Sequence, residues 1–219
     1  MSRIFLGLAL LAVGLLVANI VLGLMIGDYN GVWREQFQAV GRLRELTSQG
    51  ASQDEIDALR RQIDVTGDRL HPIVERKVTH FLLGLIAALV TLLVNSITVT
   101  YFIGTSRWCL EVVDTYGLDQ SLVDRCNRLK RQAFPLALCG ILTVLGIAVL
   151  GAFSDPAGPF LTGAADWVTP HLLAATVGTG LIAWLLWLQL ARIDANYKVI
   201  EEIVEHVRRI RAERGLDND

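Results

Sequence analysis

The sequence predicts an all-α, polytopic membrane protein: four transmembrane helices, an extramembrane helical hairpin and cytoplasmic helix extensions. Three observations predict it. Four long runs, Ile4–Ile26, Phe81–Ile103, Ala133–Phe153 and Val168–Leu190, contain no Asp, Glu, Lys or Arg. Each can cross a bilayer as a helix, which takes about 20 apolar residues. The 219-residue chain is 53% hydrophobic with a mean hydropathy of +0.45, too apolar for an ordinary soluble domain. The segments outside the runs carry apolar residues at helical spacing.

The first run follows a short basic start, Met1-Ser2-Arg3. Its apolar core exceeds that of a secretory signal, and no small-x-small site closes it, so it is expected to stay as a helix. Basic residues near spans favour the cytoplasmic side. The third connection, Ser154–Trp167, has none, whereas the second, Gly104–Gln132, has five: Arg107, Arg125, Arg128, Lys130 and Arg131. The tail after Leu190 has six. This places both termini and the second connection inside, with 12 basic residues against 8 in an outer first connection, Gly27–Thr79. Arg76 and Lys77 run against this count. Tyr29 and Trp167 would mark the outer edge of the bilayer, and Tyr101, Trp108, Trp184 and Trp187 the inner one. A cell inner membrane is the expected location.

Residues 27–79 read as the outer hairpin. Trp33, Phe37, Val40, Leu43 and Leu46 give one apolar face, and Ser48-Gln49-Gly50 gives a turn. Ser52-x-x-Glu55 matches a capping box, and Ile56, Leu59, Ile63 and Leu70 form the next stripe. Pro72 is expected to end or bend that helix. The stripes either bury each other or dock a partner.

Residues 104–132 form the cytoplasmic connection. Trp108–Tyr116 extends the second span, Gly117 ends it, and Asp119 or Ser121 caps the next helix. In the C-terminal helix, 191–219, Ile193, Tyr197, Ile200, Val204 and Val207 follow coiled-coil spacing. That seam would pack on Trp108–Tyr116 or join a second copy.

The three cysteines, Cys109, Cys126 and Cys139, have no zinc spacing and read as reduced thiols. A net charge of −2 argues against a nucleic-acid partner. No phosphate-binding, metalloprotease or nucleophile-elbow motif occurs, and no internal repeat is evident. The chain therefore carries no catalytic constellation and is not expected to be an enzyme by itself. The bilayer is one partner, and a protein partner or second copy is expected through the hairpin or C-terminal helix. The leading functional expectation is an integral membrane scaffold or accessory subunit.

Two residue sets could carry chemistry. His80 and His171 start the second and fourth spans, at similar depth in this topology. Gly84, Ala87 and Ala88 share the face of His80, and Ala174, Ala175 and Gly178 that of His171. Such a pair could hold a b-type haem, making the chain an electron-transfer subunit. His71 could add a third metal ligand. Thr169-Pro170-His171 reads as a helix start with Thr169 as cap. The second set is a polar line, Thr91, Asn95 and Thr98, with Asn19 as a partner for it. This line would glue helices or line a small channel or carrier. Arg107 and Arg192 are expected at the inner interface, near lipid phosphate or Glu111 and Asp194.

Overall fold

The computed structural model describes residues 2–158 and 163–215. The middle of the third connection, 159–162, and the last four tail residues lie outside the described residues. Within them the fold is all-α, with no strand. The elements are α1 (Ser2–Leu24), α2 (Tyr29–Gln49), α3 (Gln53–Tyr116), α4 (Ser121–Phe153), a 3-10 turn (Ala164–Trp167) and α5 (Val168–Glu213). Four helices, α1, α3, α4 and α5, are long and apolar enough to cross a membrane.

Three of the four spans are embedded in longer helices. At 64 residues, α3 carries the second hairpin arm, the second apolar run and its extension without a break. It also runs through Pro72, so of the two expected outcomes, an end or a bend, the helix does not end there. Proline removes one backbone bond and costs about 3 kcal/mol in a helix interior. Tertiary contacts hold the turns on both sides: Arg69 pairs with Glu35 at 3.3 Å, and Lys77 pairs with Asp155 at 2.7 Å.

The fold divides into two compact units. One comprises Leu15–Ala87 and Gly146–Val177 and contains the hairpin. Asp28 caps α2 by accepting from the Gly31 N–H at 2.9 Å. Gly50 closes α2 in the left-handed conformation, with φ 69°, where a side chain would be strained. The capping box forms: the Ser52 N–H reaches Glu55 Oε2 at 3.2 Å, and the Glu55 N–H reaches Ser52 Oγ at 3.4 Å. The buried face of α2 differs from the expected stripe. Tyr29, Val32 and Ala39 are buried, whereas Phe37 is 63% exposed and stacks on Trp33. Val32 and Ala39 are small and buried, as is Thr66 on α3; Trp33 is half-buried and Phe37 is left exposed. At the far end of this unit, α5 begins at Val168 behind the 3-10 turn, so Thr169 lies in its first turn and is not the cap.

The other unit comprises Met1–Gly14, Ala88–Leu145 and Gly178–Asp219. Gly117, at φ 65°, ends α3, and Asp119 Oδ1 accepts from the Ser121 N–H at 2.8 Å to start α4. That bond holds the Asp119 carboxyl below its ordinary range. The ends of α3 and α4 pack against α5 around Cys109, Val113, Leu122, Val123, Cys126, Val199 and Ile203. The tail thus packs within its own chain. Its buried line runs Ile193, Asn196, Val199 and Ile203, while Tyr197 is 43% exposed. The seam is rotated from the expected one because two neighbouring helix ends, not one matching helix, supply its partners.

Candidate functional site

His80, on α3, and His171, on α5, come together in the hairpin-containing unit. Their ring centroids are 6.3 Å apart and their planes cross at 79°. Each ring lies against a glycine near the end of the preceding apolar run. A Cβ on Gly23 would stand 3.0 Å from His80 Cε1, and one on Gly151 would stand 3.0 Å from His171 Cε1. Glycine is what lets each imidazole reach the neighbouring backbone.

The backbone then sets the rings' chemistry. His80 Nδ1 donates to the Asn19 carbonyl at 3.0 Å, one helical turn before Gly23. This bond fixes the tautomer with a lone pair on Nε2. His171 faces the Ile147 backbone, one turn before Gly151, at a geometry short of a hydrogen bond, so its buried Nδ1 is unpartnered. The two halves of the site repeat one device: a histidine at a span start, a glycine across from it, and a carbonyl four residues before the glycine.

The separation alone fits an edge-to-face contact, about 4.5–7 Å between centroids. It also fits coordination. With about 2 Å from each imidazole nitrogen to a first-row ion and about 1 Å more to each centroid, two axial rings stand roughly 6 Å apart. His71 does not join them; it is exposed and lies 3.8 Å from Glu75. No group of three His, Cys, Asp or Glu suited to a metal ion occurs among the described residues. Two histidines underfill the coordination of a bare ion, and would suit a group such as a haem that brings most of its own donors.

Next to this pair, Lys77 bonds Asp155 Oδ1 at 2.8 Å and the Tyr29 hydroxyl at 3.2 Å. It precedes the apolar run of α3. Burial disfavours its charge, but the Asp155 and Tyr29 bonds outweigh that and raise its pKa above 10.5. Arg76 donates to the Met25 carbonyl at 2.8 Å. The two basic residues that ran against the charge count are thus engaged in tying α3 to α1, α2 and the third connection.

Thr91, Asn95 and Thr98 are fully buried in the other unit. Asn95 Nδ2 donates to the Thr91 carbonyl at 2.8 Å, and Thr98 Oγ1 to the Val94 carbonyl at 3.4 Å. The partner of Asn95 across the helices is Gln189, which donates from Nε2 at 3.0 Å. Asn19, the partner expected from sequence, packs instead on Gly84, three turns earlier on α3, and its Oδ1 is unpartnered. A second polar contact lies further along: Asn196 Nδ2 donates to the Tyr101 hydroxyl at 3.2 Å and to Thr105 Oγ1 at 3.0 Å. Arg107 pairs with Glu111 at 2.9 Å, Asp194 with Lys198 at 3.2 Å, and Arg192 Nε is buried without a partner.

The sequence reading missed Gly23, Gly151, Gln189 as partner of Asn95, and the Asn196 contacts. The glycines had a signal, since each stands within the last turn of the apolar run preceding a histidine-led span. No protein-family model matches the chain, and no curated protein or solved structure matches it.

Proposed function

We propose that this protein is a membrane electron-transfer subunit that holds a b-type haem between His80 and His171. One observation carries the reading: the two imidazoles stand 6.3 Å apart, each backed by a glycine, with His80 Nδ1 bonded to the Asn19 carbonyl and His171 Nδ1 buried without a partner. The Asn19 bond leaves Nε2 of His80 for iron. The haem would supply one-electron chemistry. The chain's own contribution would be a ring nitrogen from each histidine and the backbone bond that orients His80.

The proposed topology places the hairpin and the histidine pair on the outer side, with both termini in the cytoplasm of a cell whose inner membrane holds the protein. A second reading, an accessory subunit that associates without a cofactor, is favoured by the stacked Trp33–Phe37 pair, since Phe37 is 63% exposed on the hairpin.

The test is a reduced-minus-oxidised visible spectrum of detergent-purified protein from cells supplied with haem. A b-type spectrum lost in both His80→Ala and His171→Ala supports the proposal. A blank spectrum from folded protein rejects it and leaves association through the hairpin as the reading to pursue.

A further inference from the structure

The end of α3 and the start of α4 bring two sulfurs into direct contact. Cys109 and Cys126 are both fully buried, and their Sγ atoms are 2.8 Å apart. Sequence gives no hint of this beyond two thiols either side of the Gly117 turn. The turn folds α4 back on α3, and Val113, Leu122 and Val123 pack around the pair while α5 covers it with Val199 and Ile203.

The separation selects among the things two thiols can do. Two thiolates on one tetrahedral ion, each at about 2.3 Å, stand about 3.8 Å apart. These are closer, and no group of three metal-suited side chains occurs among the described residues. A disulfide needs about 2.0 Å, which a small movement of two side chains supplies. We propose that Cys109 and Cys126 form a reversible thiol pair that is oxidised by hydroperoxides to a disulfide stapling α3 to α4.

The step balances. The Cys126 thiolate attacks one oxygen of the hydroperoxide, the O–O bond breaks, and the alcohol leaves with a proton. Cys126 is then a sulfenic acid. Cys109 Sγ attacks that sulfur, the S–S bond forms, the S–O bond breaks, and water leaves with the Cys109 proton. Two thiols and one hydroperoxide become a disulfide, an alcohol and water, with two electrons passing from sulfur to oxygen. A dithiol reductant reverses the bond by exchange.

Cys126 is the attacking sulfur for local reasons. The contact between the two sulfurs favours a single thiolate on the pair, and the Arg125 charge beside Cys126 favours that sulfur, against the opposing effect of burial. The sulfur that keeps its proton donates to the other at 2.8 Å. Burial of both sulfurs admits a small neutral oxidant through local opening and keeps out bulky ones. The exposed Cys139 is the built-in control, lying in the apolar run of α4 without a thiol partner.

The experiment uses the full chain in detergent, treated with hydrogen peroxide, alkylated with N-ethylmaleimide after denaturation, and mapped by mass spectrometry. The expected result is loss of two of the three alkylatable thiols, a Cys109–Cys126 linked peptide, and recovery of both thiols with dithiothreitol. Cys109→Ser should trap a dimedone-reactive Cys126. Should that variant not fold, the wild-type map decides alone. Oxidation confined to Cys139, a disulfide between two chains, or three intact thiols at peroxide doses that oxidise free glutathione would overturn the proposal.

Discussion

The Asn95–Gln189 hydrogen bond, 3.0 Å long between two fully buried amides, predicts a specific pattern in a double-mutant cycle. Gln189→Met removes the donor that Gln189 Nε2 gives Asn95 Oδ1. An interhelical side-chain bond in a membrane is worth about 0.6 kcal/mol on average and up to about 1.7, and a buried polar atom left unpaired adds about 1–3 kcal/mol. The single change should therefore cost about 1–3 kcal/mol. Asn95→Leu keeps the branched shape but strands Gln189 Nε2, beside an Oε1 that already lacks a partner; it should cost a similar amount. Gly140 presses on Asn95, with a would-be Cβ 2.7 Å from its Oδ1, so the leucine adds overpacking. That strain is common to the single and the double variant and cancels from the coupling. With both amides replaced, no polar atom of the pair is left stranded, so the double variant should be less destabilised than the sum of the singles by about 1–3 kcal/mol. Reversible unfolding in mixed detergent micelles, followed by circular dichroism, measures all three. Costs that simply add, within about 0.3 kcal/mol, would refute the reasoning.

Other outcomes follow from the same geometry. Gly23→Leu and Gly151→Leu each put side-chain atoms where a ring sits; both should abolish haem retention in absorbance while leaving the helical circular dichroism signal within about a tenth of wild type. Lys77→Met should destabilise the hairpin-containing unit by about 1.5–3 kcal/mol, the range for hydrogen bonds to charged groups, read as faster hydrogen exchange in α2. The pKa of Lys77 is raised in the folded state. Its stabilisation is therefore complete below the ordinary value of 10.5 and lost as pH rises through the higher folded value. Protection factors in α2, taken against the intrinsic exchange rate at each pH, should stay flat through neutral pH and fall only in strong alkali; a fall between pH 7 and 9 would contradict the assignment.

The architecture was readable because membrane spans and helix ends are local signals. Four charge-free runs, Gly50 and Gly117 at helix ends, Ser52-x-x-Glu55 as a capping box and Asp119 as a cap all act within a few residues, and each stands where its chemistry requires. Helix continuity was not readable at Pro72, because a local penalty is offset by contacts from Glu35 and Asp155, far away in sequence. The buried faces of α2 and of the tail were read only in part: Trp33, Val40, Leu43 and Leu46, and Ile193, Ile200 and Val207, are buried or half-buried, but Phe37 and Tyr197 are exposed. Phe37 and Tyr197 are more apolar or larger than their neighbours, yet close helix approach favours Ala39 and the positions facing two partners at once. At the candidate site, His80 and His171 were visible as a pair because both begin spans. Their ring separation, the glycines opposite them and the carbonyl at His80 Nδ1 depend on the register between helices, which no spacing within one helix encodes. The same holds for Gln189 beside Asn95 and for the two sulfurs across the Gly117 turn.

The most direct test of the histidine site is the haem-to-protein ratio and the low-temperature EPR spectrum of one oxidised preparation. One haem per chain, six-coordinate and low-spin, is expected, with the strong anisotropy that nearly perpendicular imidazole planes at 79° impose. Folded protein that retains no haem, or a high-spin signal from iron with a single axial ligand, would contradict axial ligation by His80 and His171.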